Sequence, residues 1–201
     1  MYKRQVPNSL RRRSAQTALW RIGEALVRLV APVMSFTADE IWSFLPKVSD
    51  RPESVHLAYF PKGEDVLGGT CDAASARALT ADFDALLAVR DEALKALEIA
   101  RQEKLIGRSE EAVITVHAPP SLHKIVERYR DDLRFLLIVS GVSVEPGNGN
   151  AALRVEVNKA PGAKCERCWN YSTQVGASER YRTVCERCLA ALQELEEEPA
   201  V

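Results

Sequence analysis

The chain has 201 residues, of which 27 are lysine or arginine and 28 are aspartate or glutamate, giving a formal net charge of −1. This length can bury one sizeable core or divide into two or three small modules, and the net charge gives no support for a nucleic-acid partner. No apolar run approaches the roughly 20 residues that cross a bilayer, and no secretory signal precedes the first helix. We therefore expect a cytoplasmic protein without a membrane partner.

The positive charge is concentrated near the N-terminus. Residues 1–34 hold seven basic residues against one acid, Glu24, and three of the basic residues are consecutive: Arg11, Arg12 and Arg13. Such a face attracts phosphate groups. A solvated helix surface has the same composition, so the charge alone leaves both interpretations open.

A helix with one buried face is predicted from Ala15 onward, ending or kinking at Pro32. Its buried stripe is expected to comprise Ala18, Leu19, Ile22, Leu26, Leu29, Val30 and Val33. The opposite, charged face is expected to pair through Arg21, Glu24 and Arg28.

A second helix is predicted in "SFTADEIWSFLP", where Thr37 and Glu40 match a capping box and Pro46 ends the helix. Its expected buried residues are Ile41, Trp42 and Leu45. Proline, glycine and mixed charge in residues 47–70 predict a loop.

A long third helix is predicted from about Cys71 or Thr80 to Lys104, closed by Gly107. Its expected buried stripe is Phe83, Leu86, Leu87, Leu94, Leu97 and Ala100. Arg90 interrupts this stripe, so either a carboxylate lies near Arg90 or the assumed helix phase is locally wrong.

After Gly107 the pattern changes to a small α+β unit. Strands are predicted at 112–118, in "GVSVEP" and in "ALRVEVNKA", with a helix over 120–138 and a hairpin turn at 145–150. A final helix is predicted from Glu186. The fold class is therefore mainly α with a small α+β unit, divided into domains 1–106, 107–160 and 161–201.

Four of the five cysteines form two C-x-x-C pairs, Cys165 with Cys168 and Cys185 with Cys188, separated by sixteen residues. Two such turns place four sulfurs around one point, which predicts one structural Zn²⁺ in a zinc-ribbon or knuckle module. Four thiolates leave no open position for catalysis, and the strand–helix–strand context of a redox C-x-x-C is missing. The fifth, Cys71, is expected to be an inert packed residue.

None of the three histidines is expected to bind metal or act in catalysis, since His56, His117 and His123 lie far from the cysteines in sequence. The cysteine module itself has no net charge once a tetrathiolate zinc is counted. Its first knuckle nevertheless places Arg167 and Trp169 on either side of Cys168. These side chains could hydrogen-bond to and stack on unpaired bases, or Trp169 could pack over the ribbon as its large apolar residue.

Several stretches together resemble, in order, the C-terminal part of bacterial isoleucyl-tRNA synthetases. They are "LRRRSAQTALWRIGEALVRLVAPVMSFTADEIWSFLP", "ESVHLAYFP", "LLAVRDEALKALEIARQEKLIGRSEEAVITV", "KCERCWNYSTQVG" and "YRTVCERCLAAL". The resemblance covers nearly the whole chain from Leu10. It implies a helical anticodon-binding domain followed by a zinc module that folds against the anticodon loop.

The resemblance also implies a function. Arg167 and Trp169 match family residues that contact the anticodon region, and the basic first helix belongs to the bundle that binds the anticodon stem. The full-length enzyme is expected to attach isoleucine to tRNA(Ile) with ATP and to edit mischarged valine. The HIGH-like and KMSKS-like signatures are absent here, so we expect a monomeric C-terminal fragment, with Met1 not a natural start, that binds no ATP and adjoins upstream catalytic and editing domains.

Two other functions remain as alternatives. One is a zinc-ribbon adaptor that binds protein. The other is a DNA-glycosylase-type protein, because formamidopyrimidine-type glycosylases end in a similar four-cysteine finger. A glycosylase would begin with a catalytic proline, whereas Met1 is followed here by Tyr2.

Overall fold

The computed structural model describes residues 6, 8–67, 72–147 and 152–197. Contacts between residues divide the chain into two units, Met1–Ala76 and Arg77–Val201. The finer division at residues 106 and 160 stays a prediction. Within the described ranges, no helix combines the length and apolar composition needed to cross a membrane.

The first unit contains helices α1 (Leu10–Val30), α2 (Ser35–Phe44) and α3 (Gly63–Leu67) and a 3₁₀ turn at Val55–Leu57. Helix α1 begins five residues before the predicted Ala15, because the Ser9 hydroxyl caps it by accepting the Arg12 backbone N–H at 3.3 Å. It ends before Pro32, as predicted. The region predicted as a loop over 47–70 thus holds two short helical elements.

The predicted buried stripe of α1 is mostly wrong. Leu19, Ile22, Leu26 and Leu29 are all more than 50% exposed, and Val33 is 87% exposed. The first unit's core instead uses Val27, Ala31, Ala38, Trp42 and Val55. Because α2 and the 3₁₀ turn pack on the side of α1 that carries Val27, the leucine-rich side stays on the surface. On the charged face, Arg28 pairs with Glu24 at 2.6 Å as predicted.

Trp42, on α2, contacts the segment that follows this helix. Its side chain is buried, as predicted, and Nε1 donates to the Pro52 carbonyl at 2.9 Å. The Arg51 guanidinium lies 3.8 Å from the centre of the Trp42 ring. Two predictions here are wrong: Ile41 is 42% exposed, and Thr37 lies inside a helix that starts at Ser35 without a side-chain cap.

Helix α4 runs over Ala73–Gln102 and supplies a face of the larger core. Its buried residues are Leu86, Val89, Ala93, Leu97 and Ala100. Phe83, Leu87 and Leu94 are 44%, 45% and 38% exposed, so the predicted helix phase was locally wrong. Arg90 therefore does not interrupt the buried stripe of α4. Cys71 lies outside the described residues.

The end of α4 also differs from the prediction. Lys104 adopts the left-handed conformation after the helix, with φ of 58°. Gly107 lies beyond that turn and donates its N–H to Glu111 Oε2 at 2.8 Å. The predicted terminal glycine was therefore wrong.

The α+β unit has three strands, β1 (Ala112–Ala118), β2 (Gly141–Pro146) and β3 (Arg154–Lys159), where the sequence predicts them. Their order is β2-β1-β3. Strand β1 pairs parallel with β2 and antiparallel with β3. The predicted hairpin between β2 and β3 was therefore wrong, because both pair with β1. Residues 148–150 of the predicted turn lie outside the described residues.

The predicted helix over 120–138 is two helices, α5 (Pro120–Arg128) and α6 (Arg130–Leu137), separated at Tyr129. The Tyr129 hydroxyl donates to Asp82 Oδ2 at 3.0 Å, which ties this break to α4. The helices cover the sheet and complete the core. Its largest fully buried members include Leu86, Leu97, Ile114, Leu133, Val116, Val126 and Val139.

The cysteine module follows β3 within the same unit. It consists of β4 (Ala163–Lys164) paired antiparallel with β5 (Tyr171–Ser172), and helix α7 (Glu186–Glu197), which begins where predicted. Its core is the four cysteines and Val184, with Val175, Tyr181, Leu189 and Leu192 packed around them. The fold class, mainly α with a small α+β unit and a cysteine module, agrees with the prediction.

Candidate metal centre and nucleic-acid interface

The four cysteine sulfurs lie close together. The Sγ atoms of Cys165, Cys168, Cys185 and Cys188 all lie within 4.8 Å of one another, and all four residues are buried. The Sγ atoms of Cys168 and Cys185 are 3.6 Å apart. Tetrahedral zinc with Zn–S bonds of about 2.3 Å places its sulfurs about 3.8 Å apart, so this donor set fits Zn²⁺.

The first knuckle is held by backbone hydrogen bonds. The Trp169 N–H donates to the Cys165 carbonyl at 2.7 Å, and the Cys165 N–H donates to the Asn170 carbonyl at 2.9 Å. The second cysteine pair approaches through the Cys185 N–H, which donates to Cys165 Sγ at 3.3 Å. Because α7 begins at Glu186, Cys188 lies on its first turn and faces the same point.

The thiols differ in their electrostatic environment. Burial raises the pKa of Cys165, but N–H groups of Cys168, Cys185 and Arg167 lie at its sulfur and together lower that pKa to about 6. Burial and the neighbouring cysteine sulfurs raise the pKa of Cys188 to about 12. Four crowded thiols therefore resist joint ionisation unless a cation is bound, and Zn²⁺ supplies the required charge.

Arg167 is directed toward the metal centre. Its side chain is hydrogen-bonded to the Cys188 sulfur and favours the ionised thiolate. The residue is half-buried in the structure.

Trp169 lies at the surface and is not among the buried or partly buried residues that form the core of the cysteine module. It is 51% exposed, and its backbone is left-handed, with φ of 68°. A bulky residue in this conformation is a genuine outlier, costing about 1–2 kcal/mol relative to glycine. The buried and partly buried residues of the module's core include Tyr181, Leu189 and Leu192 but not Trp169, and the choice between packing and base contact for Trp169 stays a prediction.

Lys164 is a candidate residue that sequence reasoning missed. It lies in β4, directly before Cys165, and its Nζ is 5.5 Å from the centre of the Trp169 ring. Arg108 lines the same small surface depression as Lys164 and Trp169. A basic residue adjoining the knuckle was the only available signal for Lys164, and nothing in the sequence links Arg108 to Trp169.

The module is fixed to the α+β unit next to Trp169. Asn170 Nδ2 donates to the Val139 carbonyl at 2.9 Å, and the Tyr171 N–H donates to Ser140 Oγ at 2.7 Å. At Gly162 φ is +84°, and an added Cβ would lie 2.3 Å from the Ser172 carbonyl oxygen. Only glycine fits this crossing, so Gly162 is needed for β4 to pair with β5.

The Arg11–Arg13 cluster lies on the first turn of α1, in the first unit. Arg11 and Arg13 are exposed and Arg12 is half-buried. No acidic residue lies in that first turn. Cations there are opposed by the helix dipole, so helix stability does not explain the cluster.

The histidines lie away from the cysteines among the described contacts. His117 on β1 lies between two carboxylates, with Nδ1 3.6 Å from Glu145 and Nε2 3.5 Å from Glu156. His123 is on α5, and His56 is in the 3₁₀ turn of the first unit. Their expected lack of a metal or catalytic role stays a prediction.

Comparison with known proteins adds two family matches. Residues 1–116 match the family described as the anticodon-binding domain of tRNA ligase. Residues 162–191 match the zinc finger found in FPG and IleRS. The second match coincides with the four cysteines, and the first covers more than half of the chain.

Similar proteins include isoleucine–tRNA ligases from several bacteria. The one from Dichelobacter nodosus is 46% identical over 90% of this chain and 18% of its own length. Those from Syntrophotalea carbinolica and Thermotoga neapolitana are 45% and 39% identical, over 92% and 94% of this chain and 20% of their own lengths. The chain thus spans about a fifth of the length of these relatives. It belongs to the family of tRNA-ligase anticodon-binding domains.

Proposed function

We propose that this chain is the tRNA-binding region of an isoleucine–tRNA ligase. In this proposal Arg167 and Trp169 contact bases at the anticodon, and Arg11, Arg12 and Arg13 contact phosphates of the tRNA. The observation that carries it is the position of Trp169, exposed on a left-handed backbone beside a closed four-cysteine site. A strained backbone conformation at an exposed aromatic residue is typical of a side chain that takes part in binding or catalysis.

The surroundings of Trp169 suit an unpaired base. An indole face stacks on any base, with each stack worth about 1–3 kcal/mol. The Lys164 ammonium near the ring can neutralise a phosphate of the stacked nucleotide. The Arg167 guanidinium, in the same knuckle, carries N–H donors of the kind that recognise the edge of a base.

The metal has a supporting role in this proposal. One structural Zn²⁺, held by the four cysteines, fixes the knuckle that presents Arg167 and Trp169. The module's own apolar core is small, so metal binding supplies much of its folding free energy.

The activity of the whole protein is proposed from the relatives' name and from the resemblance to isoleucyl-tRNA synthetases. We infer that it attaches isoleucine to tRNA(Ile) with ATP and removes mischarged valine, using catalytic and editing domains that this chain does not contain. ATP would bind those domains and not this region. We further propose that the protein is a cytoplasmic monomer.

The two alternative functions have less support. The description of the matching zinc finger names FPG beside IleRS, but the match over residues 1–116 is to a tRNA-ligase domain. Neither matching family is described as protein-binding. Lesion cleavage, or tight protein binding without RNA affinity, would favour these alternatives.

The proposed base contact is tested by replacing Trp169 in the zinc-loaded chain and measuring tRNA(Ile) binding by fluorescence anisotropy. Trp169→Ala should weaken binding by about 5- to 150-fold, the equivalent of removing one stack. Trp169→Phe is the matched control, because it keeps an aromatic face and should retain most of the affinity. Unchanged binding by the alanine variant, with zinc content intact, would rule out the contact.

A further inference from the structure

A cleft of about 200 Å³ lies between the α+β unit and the cysteine module, inside the second unit. Arg134 lines it from α6, and Arg187 lines it from the first turn of α7. Asn170 and Tyr171 form part of its wall. Only folding brings the two arginines together, because Arg134 and Arg187 are 53 positions apart in sequence.

The two arginines share an aromatic ring. The guanidinium carbons of Arg134 and Arg187 lie 4.8 Å and 5.3 Å from the centre of the Phe135 ring. Both residues are half-buried. A guanidinium stacked on a ring keeps its in-plane N–H donors available, and that planar fork matches the oxygens of a phosphate.

Within the described ranges neither arginine forms an ion pair. The nearby carboxylate of Glu186 instead accepts a hydrogen bond from Ser172 Oγ at 2.8 Å. Cys185 and Glu186 also line the cleft, so the two guanidinium groups would hold an anion through direct N–H contacts and not through an excess of positive charge.

The first turn of α7 also lines the cleft. A helix N-terminus carries partial positive charge and favours anions, and α7 is a 12-residue helix that begins at the cleft with Glu186 and Arg187. Three features therefore meet at this cleft: the two arginines, the polar side chains of its wall and the N-terminus of α7.

We propose that this cleft binds a phosphate group through Arg134 and Arg187. The phosphate is one of the RNA backbone, and this source rests on the proposed tRNA-binding function. The cleft adjoins Asn170 and Tyr171, which directly follow Trp169 in sequence. A backbone phosphate held here would accompany a nucleotide bound at the knuckle.

The test compares the Arg134→Gln/Arg187→Gln double variant with the Arg130→Gln/Arg182→Gln control. The control removes the same charge from α6 and from the cysteine module, outside the residues that line the cleft. The cleft variant should bind tRNA about tenfold more weakly or worse. The slope of log affinity against log salt should fall by about 0.7–0.9 for each phosphate that the variant no longer binds, and by less in the control.

Two further measurements separate the possible outcomes. Zinc content and the NMR spectrum of each variant report on folding; loss of zinc from the cleft variant alone would mean that the arginines serve only to offset the thiolate charge, and would overturn the proposal. Titration with inorganic phosphate should shift the Asn170 and Tyr171 amide resonances in the parent chain but not in the cleft variant.

If the parent chain binds no tRNA, the proposed function fails but the site is still decided. Phosphate-dependent shifts that disappear in the cleft variant would then assign the cleft to free phosphate and refute the RNA source. If neither tRNA nor phosphate distinguishes the cleft variant from the control, the phosphate site is refuted.

Discussion

Replacing Trp169 by glycine separates the structural contribution of this residue from its proposed function. Trp169 has φ of 68°, a conformation that glycine adopts freely and other residues adopt at a cost of about 1–2 kcal/mol. Glycine loses about 0.5–1 kcal/mol more in backbone entropy on folding than alanine does. The balance predicts that Trp169→Gly is more stable than Trp169→Ala by about 0–1.5 kcal/mol.

The same substitution removes the proposed stacking surface. Since the indole is 51% exposed and lies outside the core of the cysteine module, its removal should leave zinc binding intact. We expect Trp169→Gly to weaken tRNA binding as much as Trp169→Ala, by about 5- to 150-fold. The glycine and alanine variants should therefore differ in stability while sharing the same weakened affinity for tRNA.

The assay is chemical unfolding of the zinc-loaded chain, together with zinc competition by a chelator and tRNA binding by anisotropy. Alanine is the matched control, because it removes the ring but keeps the left-handed strain. If Trp169→Gly releases zinc more readily than the parent chain, or is less stable than Trp169→Ala, Trp169 is a structural residue and the inference from its backbone is wrong.

Three other substitutions test how the fold is held together. Gly162→Ala should cost about 2 kcal/mol or more, because its Cβ would lie 2.3 Å from the Ser172 carbonyl oxygen; a thermal midpoint equal to the parent's would contradict this. Leu97→Ala should cost about 2–5 kcal/mol of unfolding free energy, whereas Leu94→Ala, at a 38% exposed position on the same helix, should cost much less; equal losses would refute the observed phase of α4. Asn170→Ala removes the 2.9 Å bond to the Val139 carbonyl and should cost about 1 kcal/mol, seen as faster hydrogen exchange at the Tyr171 amide; unchanged exchange would mean that this bond does not hold the module.

The strands and the four-cysteine cluster could be predicted from the sequence because their signals are local. The alternating apolar and polar residues of 112–118 require only that one face of the strand be buried, and β1 has one buried face. Strand β3 forms at 154–159 with Val155 and Val157 half-buried. The two C-x-x-C pairs likewise contain most of the geometry of a four-sulfur site. Helix α7 likewise begins at the predicted residue, Glu186, directly after Cys185.

The helix faces could not be predicted as well, because periodicity shows an apolar stripe without showing what covers it. On α1 the leucine stripe was predicted to be buried, yet the neighbouring elements pack against Val27. On α4 two overlapping stripes were possible, and the one containing Val89 packs in the core. Strand pairing was also non-local: the turn after β2 suggested a hairpin, whereas β3 pairs with the far edge of β1.

The surroundings of the candidate site were the least predictable. Nothing in "CERCWN" indicates that Trp169 takes a left-handed backbone, a position where glycine is the usual residue. The side chain of Arg167 was predicted to face RNA, and its bond to the Cys188 sulfur depends on how the second knuckle folds over the first. Lys164 reaches the Trp169 ring only because β4 and β5 pair.

The tRNA-binding role is tested most directly by titrating the zinc-loaded chain with tRNA(Ile) and with the same tRNA carrying a replaced anticodon loop. If Trp169 and Arg167 contact anticodon bases, the chain should bind intact tRNA(Ile) more tightly, and Trp169→Ala should remove that preference. Equal affinity for the two tRNAs, or no binding to either, would contradict the proposed function.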